Sequence, residues 1–270
     1  MARTDAGSHP RGEIVDGTRT HRRTRTRNEN NSQRETLRIP SRTHSRRCVM
    51  LLAVDTSNEW MGLAIYDGAR VVGEAAWQSK QHHTVELAPA VQNLLATAKV
   101  TMKDITALAV AIGPGSFTSL RVGLAFVKGL ALARNIPVIG IPTLDILAHV
   151  QPVGDLPLAV AIQAGRGRYA LGWYKNLRGT WQAEGEARVV SVEALNAEVQ
   201  SPSLVCGEFT DEVRQKISEN KHAQLVSPED SHRKPAMLAK LAWARFQNGD
   251  VDHAASLAPI YLHTAAPIET

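Results

Sequence analysis

From Met50 onwards, the apolar residues of the chain follow the spacing of strands and helices. Short apolar runs bounded by turn residues predict strands, and apolar positions that recur every three or four residues predict helices. In the first half these patterns predict strands at 50–54, 61–66, 70–77, 107–112 and 137–141. They predict helices at 84–98, 116–134 and 143–150, of which the second begins at Ser116 as its N-cap residue.

A second group of elements follows a proline-bounded linker at residues 152–157. The predicted strands are 158–163, 169–174 and 204–206, and the predicted helices are 192–199, 210–219 and 235–248. Helical connections require neighbouring strands to be parallel. Because both halves begin with strands and end with helices, the sequence predicts an α/β protein of two related halves, 49–151 and 152–270.

The first 48 residues differ in composition from the rest. They contain twelve arginines, no lysine, five acidic residues and no aromatic residue, for a net charge of +7. The remaining residues carry 19 basic and 21 acidic side chains, so the basic character of the chain belongs to this tail. A segment with so few apolar residues cannot offset its ordering entropy, and residues 1–48 are therefore predicted to be disordered.

Three interpretations of the basic tail are open. The arginine run at residues 21–27 is typical of a nucleic-acid-binding arm. Arginine is also enriched in transit peptides, although five acidic residues are many for one. We favour the third interpretation, in which Met50 is the true first residue and the tail is not translated, because Met50 stands directly before the first strand.

Cysteine content and hydropathy indicate the cellular compartment in which the protein is expected. Cys48 and Cys206 are too few for a disulfide framework and fit a reducing environment. No apolar run approaches the ~20 residues that a bilayer span needs. The sequence therefore predicts a cytoplasmic protein that does not cross a membrane.

Two polar loops follow predicted strands, where α/β folds place their ligands. In Asp55-Thr56-Ser57, the carboxylate could hold a metal or a water beside phosphates. In Gly113-Pro114-Gly115-Ser116, the glycines allow close backbone approach, and free amides at the following helix start attract anions. On the residues alone, the glycine loop is as compatible with an ordinary turn as with a ligand loop, and the Asp55 motif by itself is a weak signal, since a turn that satisfies its own amides would have the same residues.

The remaining motifs predict no catalytic set. Residues 165–170 imitate a dinucleotide fingerprint, but strand-like residues follow where a helix is required. Asp145 and His149 have the spacing of a helical metal pair and lack a third ligand. No Ser/His/Asp or Cys/His arrangement is identifiable, so the sequence predicts neither catalytic residues nor a bound metal.

Several segments together resemble one bacterial family, TsaB, also called YeaZ, the dimerisation subunit of the tRNA threonylcarbamoyladenosine machinery. The resemblance extends from residue 50 to about residue 150 and returns at 259–262. The segments that carry it are 53–57 (AVDTS), 83–84 (HT), 113–123 (GPGSFTSLRVG), 128–131 (KGLA) and 141–144 (IPTL).

The resemblance implies an actin-like, Hsp70-like (ASKHA) fold of two lobes, each a mixed sheet with helices. It implies a non-catalytic scaffold or activator that dimerises with the catalytic paralogue TsaD and recruits the ATPase TsaE. That complex transfers a threonylcarbamoyl group to N6 of adenosine 37 in tRNAs that read codons beginning with A. A homodimer in the absence of the partner, and tRNA contact through the complex, are further expectations.

Two departures from related proteins bear on nucleotide binding and catalysis. The catalytic relative carries a metal-binding His-x-x-x-His, where this chain offers only Asp145 and His149. The second-lobe hairpin, typically Asp-Ala-Arg in the family, is Gln163-Ala164-Gly165 and lacks a charge that nucleotide-binding relatives use. We therefore expect no required cofactor and at most weak ATP or ADP binding. The vestigial phosphate or nucleotide loops are Asp55, Thr56, Ser57, Gly113, Pro114, Gly115 and Ser116.

The helix at 116–134 is apolar on two faces, which predicts burial on more than one side. One face is expected to meet the sheet and the other a partner, unless the helix at 84–98 covers it within the same lobe. The predicted interface residues are Leu87, Val91, Leu94, Leu120, Leu124, Phe126 and Val127. The alternative function is a catalytic member of the same superfold, either a metal-dependent threonylcarbamoyl transferase or a small-molecule kinase.

Overall fold

The computed structural model describes residues 49–79, 82–165 and 167–262. The predicted disordered tail, residues 1–48, lies outside the described residues. The first sheet has the strand order β3-β2-β1-β4-β5, in which β1 is antiparallel to β2 and parallel to β4. Its strands are β1 (Met50–Asp55), β2 (Trp60–Tyr66), β3 (Val71–Gln78), β4 (Ile105–Ala111) and β5 (Val138–Ile141). Its helices in chain order are α1 (His83–Thr97), α2 (Phe117–Arg134) and α3 (Thr143–Val150).

The second sheet repeats this plan. Its order is β10-β9-β6-β7-β8, with β6 antiparallel to β7 and parallel to β9. The strands are β6 (Leu158–Gln163), β7 (Arg168–Leu177), β8 (Thr180–Ser191), β9 (Ser203–Gly207) and β10 (Ala223–Leu225). The helices are α4 (Val192–Glu198), α5 (Asp211–Ser218) and α6 (Pro235–Gln247). The same strand order in both halves is the duplicated, actin-like two-lobe arrangement, and the predicted fold class is confirmed.

The last helix of each half packs against the other half. Leu144 and Leu147 of α3 belong to the core of the second sheet, beside Leu158 and Ile162 of β6. Helix α6 covers the first sheet, where Leu238 and other apolar residues meet β1 and β5. The sequence boundary between 151 and 152 separates the two sheets. Helix α6 packs on the first sheet, and α3 packs mainly on the second, while its Ile146 joins the core of the first.

Burial on both sides explains why the central strands are almost wholly apolar. In β1 and β4 successive side chains point to opposite faces, and both faces are covered by helices. Leu52 and Val54 face α1 and α2, whereas Leu51 and Ala53 face α6. Helix α2 ends at Arg134, and its C-cap residue Asn135 has a left-handed backbone (φ 49°) suited to a helix C-terminus.

Two strands are absent from the sequence prediction. Strand β8 is mostly exposed, with Trp181 and Val190 as its only fully buried side chains, so it lacks an alternating apolar pattern. Strand β10 has three residues, too few for a period to be visible. Within the described ranges, no helix is long and apolar enough to cross a membrane.

Candidate functional site

Asp55 ends β1 and is linked through Arg233 to Asn58 and Glu208, two residues that line a cleft between the two lobes. Its carboxylate oxygen Oδ1 accepts hydrogen bonds from the backbone N–H of Ser57 (2.8 Å) and from its hydroxyl (2.6 Å). Its other oxygen, Oδ2, accepts from Nε of Arg233 at 2.8 Å. The side chain is 5% exposed, so protein donors already satisfy both oxygens of this carboxylate.

The structure brings the two predicted loops together. The N–H of Ser116 donates to the carbonyl oxygen of Ser57 at 2.7 Å. The hydroxyl of Thr56 donates to the carbonyl oxygen of Ser119, in the first turn of α2, at 2.7 Å. Because these bonds join the end of β1 to the start of α2, the seven loop residues form one unit.

The close approach of these loops requires glycine at two positions. A Cβ atom on Gly115 would lie 2.2 Å from the carbonyl oxygen of Ser57, and one on Gly123 would lie 2.2 Å from the Thr56 hydroxyl oxygen. Real Cβ atoms do not approach other atoms so closely, so a side chain at either position would separate the loops.

We expect Gly115→Ala to destabilise the protein by about 1–3 kcal/mol, the usual cost of overpacking, because the obstructing atom belongs to the backbone. Gly154→Ala is the matched control, since nothing lies within 4 Å of the added methyl group. The control should change stability by no more than about 0.5 kcal/mol. Urea denaturation measures both values, and equal stability of the two variants would contradict the predicted packing.

Ser116 occupies the N-cap position of α2 but does not cap it as predicted. Its backbone is extended, and its hydroxyl makes no bond to a helix N–H. The hydroxyl instead accepts from the Ser119 hydroxyl at 3.0 Å.

The C-terminal segment, residues 253–262, passes beside the same loop. The N–H of Ile260 donates to the carbonyl oxygen of Ile112 at 2.7 Å, directly before Gly113. Gly113 has φ +103°, and a Cβ there would lie 2.9 Å from the carbonyl oxygen of Ile260. Residues 259–262, where the family resemblance returns, therefore lie against the glycine loop although they are far from it in sequence.

Three residues that the sequence did not indicate complete the base of the cleft. Arg233 donates through Nη1 to Glu208 and through Nη2 to the side-chain oxygen of Asn58 at 2.7 Å. The Asn58 amide donates to the second oxygen of Glu208 at 2.6 Å. Burial raises the pKa of the Glu208 carboxyl; Arg233 opposes this shift, and the nearby Asp55 adds to it.

The cleft above these residues has a volume of about 960 Å³. Gly115 and Ser116 line one wall, and the hairpin residues Gln163, Ala164 and Gly165 line the other. Gln163 ends β6 as Asp55 ends β1, so the position related to Asp55 by the duplication carries no charge. Glu59 and Glu208 line the cleft as well, so a ligand there would meet two carboxylates beside the neutral Gln163 amide.

A second concavity lies between α1 and α2 and is called here the α1–α2 groove. Its volume is about 470 Å³, and Leu87, Ala88, Val122, Ala125 and Phe126 are among its lining residues. Phe117, at its edge, is 53% exposed. The Arg121 guanidinium lies 3.5 Å from the centre of the Phe117 ring and donates to the Tyr261 hydroxyl at 2.9 Å.

The structure buries most of the side chains that the sequence predicts at an interface. Six of its seven side chains belong to the core of the first lobe, because α1 and α2 pack on the sheet with their most apolar sides. These residues are Leu87, Val91, Leu94, Leu120, Leu124 and Val127, each no more than 7% exposed. Leu87 also borders the groove, and Phe126 is the one partly buried member that lines it.

Asp145 and His149 do not converge as a metal pair. The Asp145 carboxylate accepts from the hydroxyl of Tyr174 at 2.7 Å, and Nδ1 of His149 lies 2.8 Å from the backbone oxygen of Asp145. Elsewhere in the part of the chain that the structure describes, no three His, Cys, Asp or Glu residues are grouped for a metal ion.

A duplicated α/β fold with a cleft between its lobes defines the class of two-lobed actin-like proteins. Residues 71–255 match the family model described as TsaD, tRNA N6-adenosine threonylcarbamoyltransferase. The tRNA threonylcarbamoyladenosine biosynthesis protein TsaB of Buchnera aphidicola subsp. Schizaphis graminum is 30% identical over 54% of this chain and 70% of its own length. TsaB of Escherichia coli K12 is 32% identical over 57% of this chain and 67% of its own.

A solved structure described as YeaZ from Pseudomonas aeruginosa superposes on the chain with a TM-score of 0.65 and 27% identity. The superposition covers 79% of this chain and all of that one. The chain therefore belongs to the TsaB (YeaZ) family, and the family resemblance predicted from the sequence is confirmed.

Proposed function

We propose that this protein takes part in threonylcarbamoyladenosine synthesis on tRNA as a non-catalytic scaffold. In this proposal it dimerises with a TsaD-type catalytic subunit, activates that subunit and provides the platform for the ATPase TsaE. The names of its relatives, tRNA threonylcarbamoyladenosine biosynthesis proteins, support the process. The resulting complex would act on N6 of adenosine 37 in tRNAs that read codons beginning with A.

The observation that carries the scaffold role is the α1–α2 groove with its exposed rim. Large apolar side chains exposed together beside a concavity are typical of protein-binding sites. Phe117 and Tyr261, 39% exposed, flank Arg121 at this rim. Aromatic residues and arginine are the types that contribute most binding energy at interfaces. A helical face of a paralogous subunit is the occupant that fits this shape, and a second copy could take its place when the paralogue is absent.

The charges around the cleft support the proposal that the protein does not depend on a bound nucleotide. Asp55, the carboxylate best placed to hold a metal beside phosphates, is already bonded to Arg233 and Ser57. Gln163, on the facing hairpin, adds no charge. We therefore propose that no cofactor is required and that ATP or ADP binds weakly at most.

A second candidate, a catalytic member of the same superfold, has support in the match to the TsaD family model. The candidates differ in their need for a metal ion. A metal-dependent transferase should retain metal through purification, and a scaffold should not.

We expect the isolated chain to show neither threonylcarbamoyl transfer to tRNA nor steady ATP turnover. Transfer should appear only when the TsaD-type subunit is added, and should fall when this chain is left out. Transfer is measured as modified adenosine in digested tRNA, and ATP turnover as released phosphate. Steady ATP turnover by the pure chain that Asp55→Ala abolishes would contradict the proposal.

A further inference from the structure

Arg233 lies in the segment that returns the chain from the second sheet to the first. This segment joins β10 to α6, which packs back on the first sheet. The guanidinium contacts Asp55 and Asn58 at the end of β1, in the first lobe, and Glu208 immediately after β9, in the second. One side chain therefore connects the carboxyl ends of two strands from different sheets.

The contacts around Arg233 form a closed ring. Nε bonds Asp55, Nη1 bonds Glu208 and Nη2 bonds Asn58, while the Asn58 amide completes the ring by donating to Glu208. A planar guanidinium presents its donors in a fixed arrangement, so several bonds to it define an orientation as well as a distance. The ring thus gives the guanidinium bonds to both lobes in one defined arrangement.

The ring is enclosed by protein. The Arg233 and Asp55 side chains are 3% and 5% exposed, and that of Glu208 is 15% exposed. Water screens buried charges much less than exposed ones. Loss of the cation would leave two carboxylates close together in a poorly solvated place, where each would repel the other.

In two-lobed proteins that open and close, a ligand commonly bridges the lobes and closes them. Here a side chain of the protein already makes that bridge at the base of the cleft. We propose that Arg233 is a built-in tether that holds the two lobes in one closed orientation without nucleotide or a divalent cation. The tether proposal concerns only the relative movement of the lobes. It can therefore be wrong while the proposed scaffold role is right, and the scaffold role can be wrong while the tether proposal is right.

The interlobe distance can be measured by electron spin–spin distance measurements on two labelled cysteines. Lys103 in the first lobe and Lys221 in the second are exposed and suit the labels when changed to cysteine in a Cys48→Ser background. Cys206 can remain, because burial raises the pKa of its thiol to about 12 and leaves it both inaccessible and protonated. The full chain is used, with and without magnesium and ATP.

Arg233→Met removes the tether, and Arg245→Met is the matched control. Arg245 also bonds two carboxylates and a backbone oxygen, but its partners Asp250, Asp252 and Gly140 all lie beside the first sheet. Because Arg233→Met strands two buried carboxylates and can prevent folding, the triple variant Asp55→Asn, Arg233→Met, Glu208→Gln removes the charges as well. It tests the tether without uncompensated charge.

We expect a narrow distance distribution in the parent that magnesium and ATP do not shift, and the same distribution in Arg245→Met. The triple variant, and Arg233→Met if folded, should show a broader distribution shifted to longer distances. A narrow, unshifted distribution in the triple variant would show that other contacts hold the lobes and would overturn the proposal. A shift of the parent with magnesium and ATP would overturn it equally.

Discussion

Leu124→Glu is expected to unfold the first lobe, whereas Phe126→Glu should leave the protein folded and unable to assemble. Leu124 is 5% exposed and belongs to the core under α2. Burial of an unpaired carboxylate costs several kcal/mol, a large share of the roughly 5–15 kcal/mol that stabilises a typical protein. Phe126 is only partly buried and lines the α1–α2 groove. The carboxylate of a glutamate at this position can therefore reach solvent, while its charge disrupts an apolar contact surface.

Circular dichroism and size-exclusion chromatography separate the two effects. Leu124→Glu should lose its helical signal or melt far below the parent. Phe126→Glu should melt near the parent and elute as a smaller species than any parent dimer. Leu132→Glu provides a control on the same helix, because Leu132 is 67% exposed and does not line the groove. If both test variants unfold, or both keep the assembly state of the parent, the assignment of the two faces of α2 is wrong.

Trp181→Ala should destabilise the second lobe by about 3–5 kcal/mol, the usual cost of truncating a buried tryptophan. Trp181 is 2% exposed, packs with Leu144 and Leu147 of α3, and donates through Nε1 to the carbonyl oxygen of Gln151 at 3.2 Å. Its loss would leave both a cavity and an unsatisfied carbonyl group. The free energy of unfolding in urea measures the effect.

Trp60→Ala is the matched control for this prediction. Trp60 is 43% exposed at the mouth of the cleft and contacts the His232 ring. Its truncation should cost less than that of Trp181, because 43% of its surface already meets water. Similar losses for both tryptophans would contradict the view that Trp181 anchors β8 to α3.

The anchoring role of Trp181 also explains why β8 could not be predicted. Its twelve residues contain few buried positions, and one tryptophan with one valine does not make a period. The buried strands β1, β4 and β6 were predictable because they are covered on both faces and read as unbroken apolar runs. Sequence periodicity therefore reveals elements in proportion to how much of each is buried.

The two loops of the candidate site were predictable because strand ends followed by polar or glycine residues are visible locally. Arg233 and Glu208 were not, because they lie in polar segments that resemble ordinary surface loops. Arg233 meets Asp55 across 178 positions of sequence. Such a pairing depends on how the two sheets face each other, which no local pattern encodes.

The faces of α2 show a similar limit. Two apolar faces were visible in the sequence, and the structure buries Leu124 and Val127 against the sheet side. Which apolar residues remain for a partner depends on the position of α1, and this position reduces the open surface to the groove beside Phe117 and Phe126. The pattern predicted the number of buried faces but not the residues left accessible.

The most direct test of the scaffold role is co-purification with a coexpressed TsaD-type subunit. Tagged parent, Phe126→Glu and the Leu132→Glu control are each coexpressed with that subunit, and the captured partner is quantified per mole of folded bait. The account predicts a stoichiometric complex for the parent and the control, and loss of the partner for Phe126→Glu. Equal capture by all three proteins, or no capture by the parent, would contradict it.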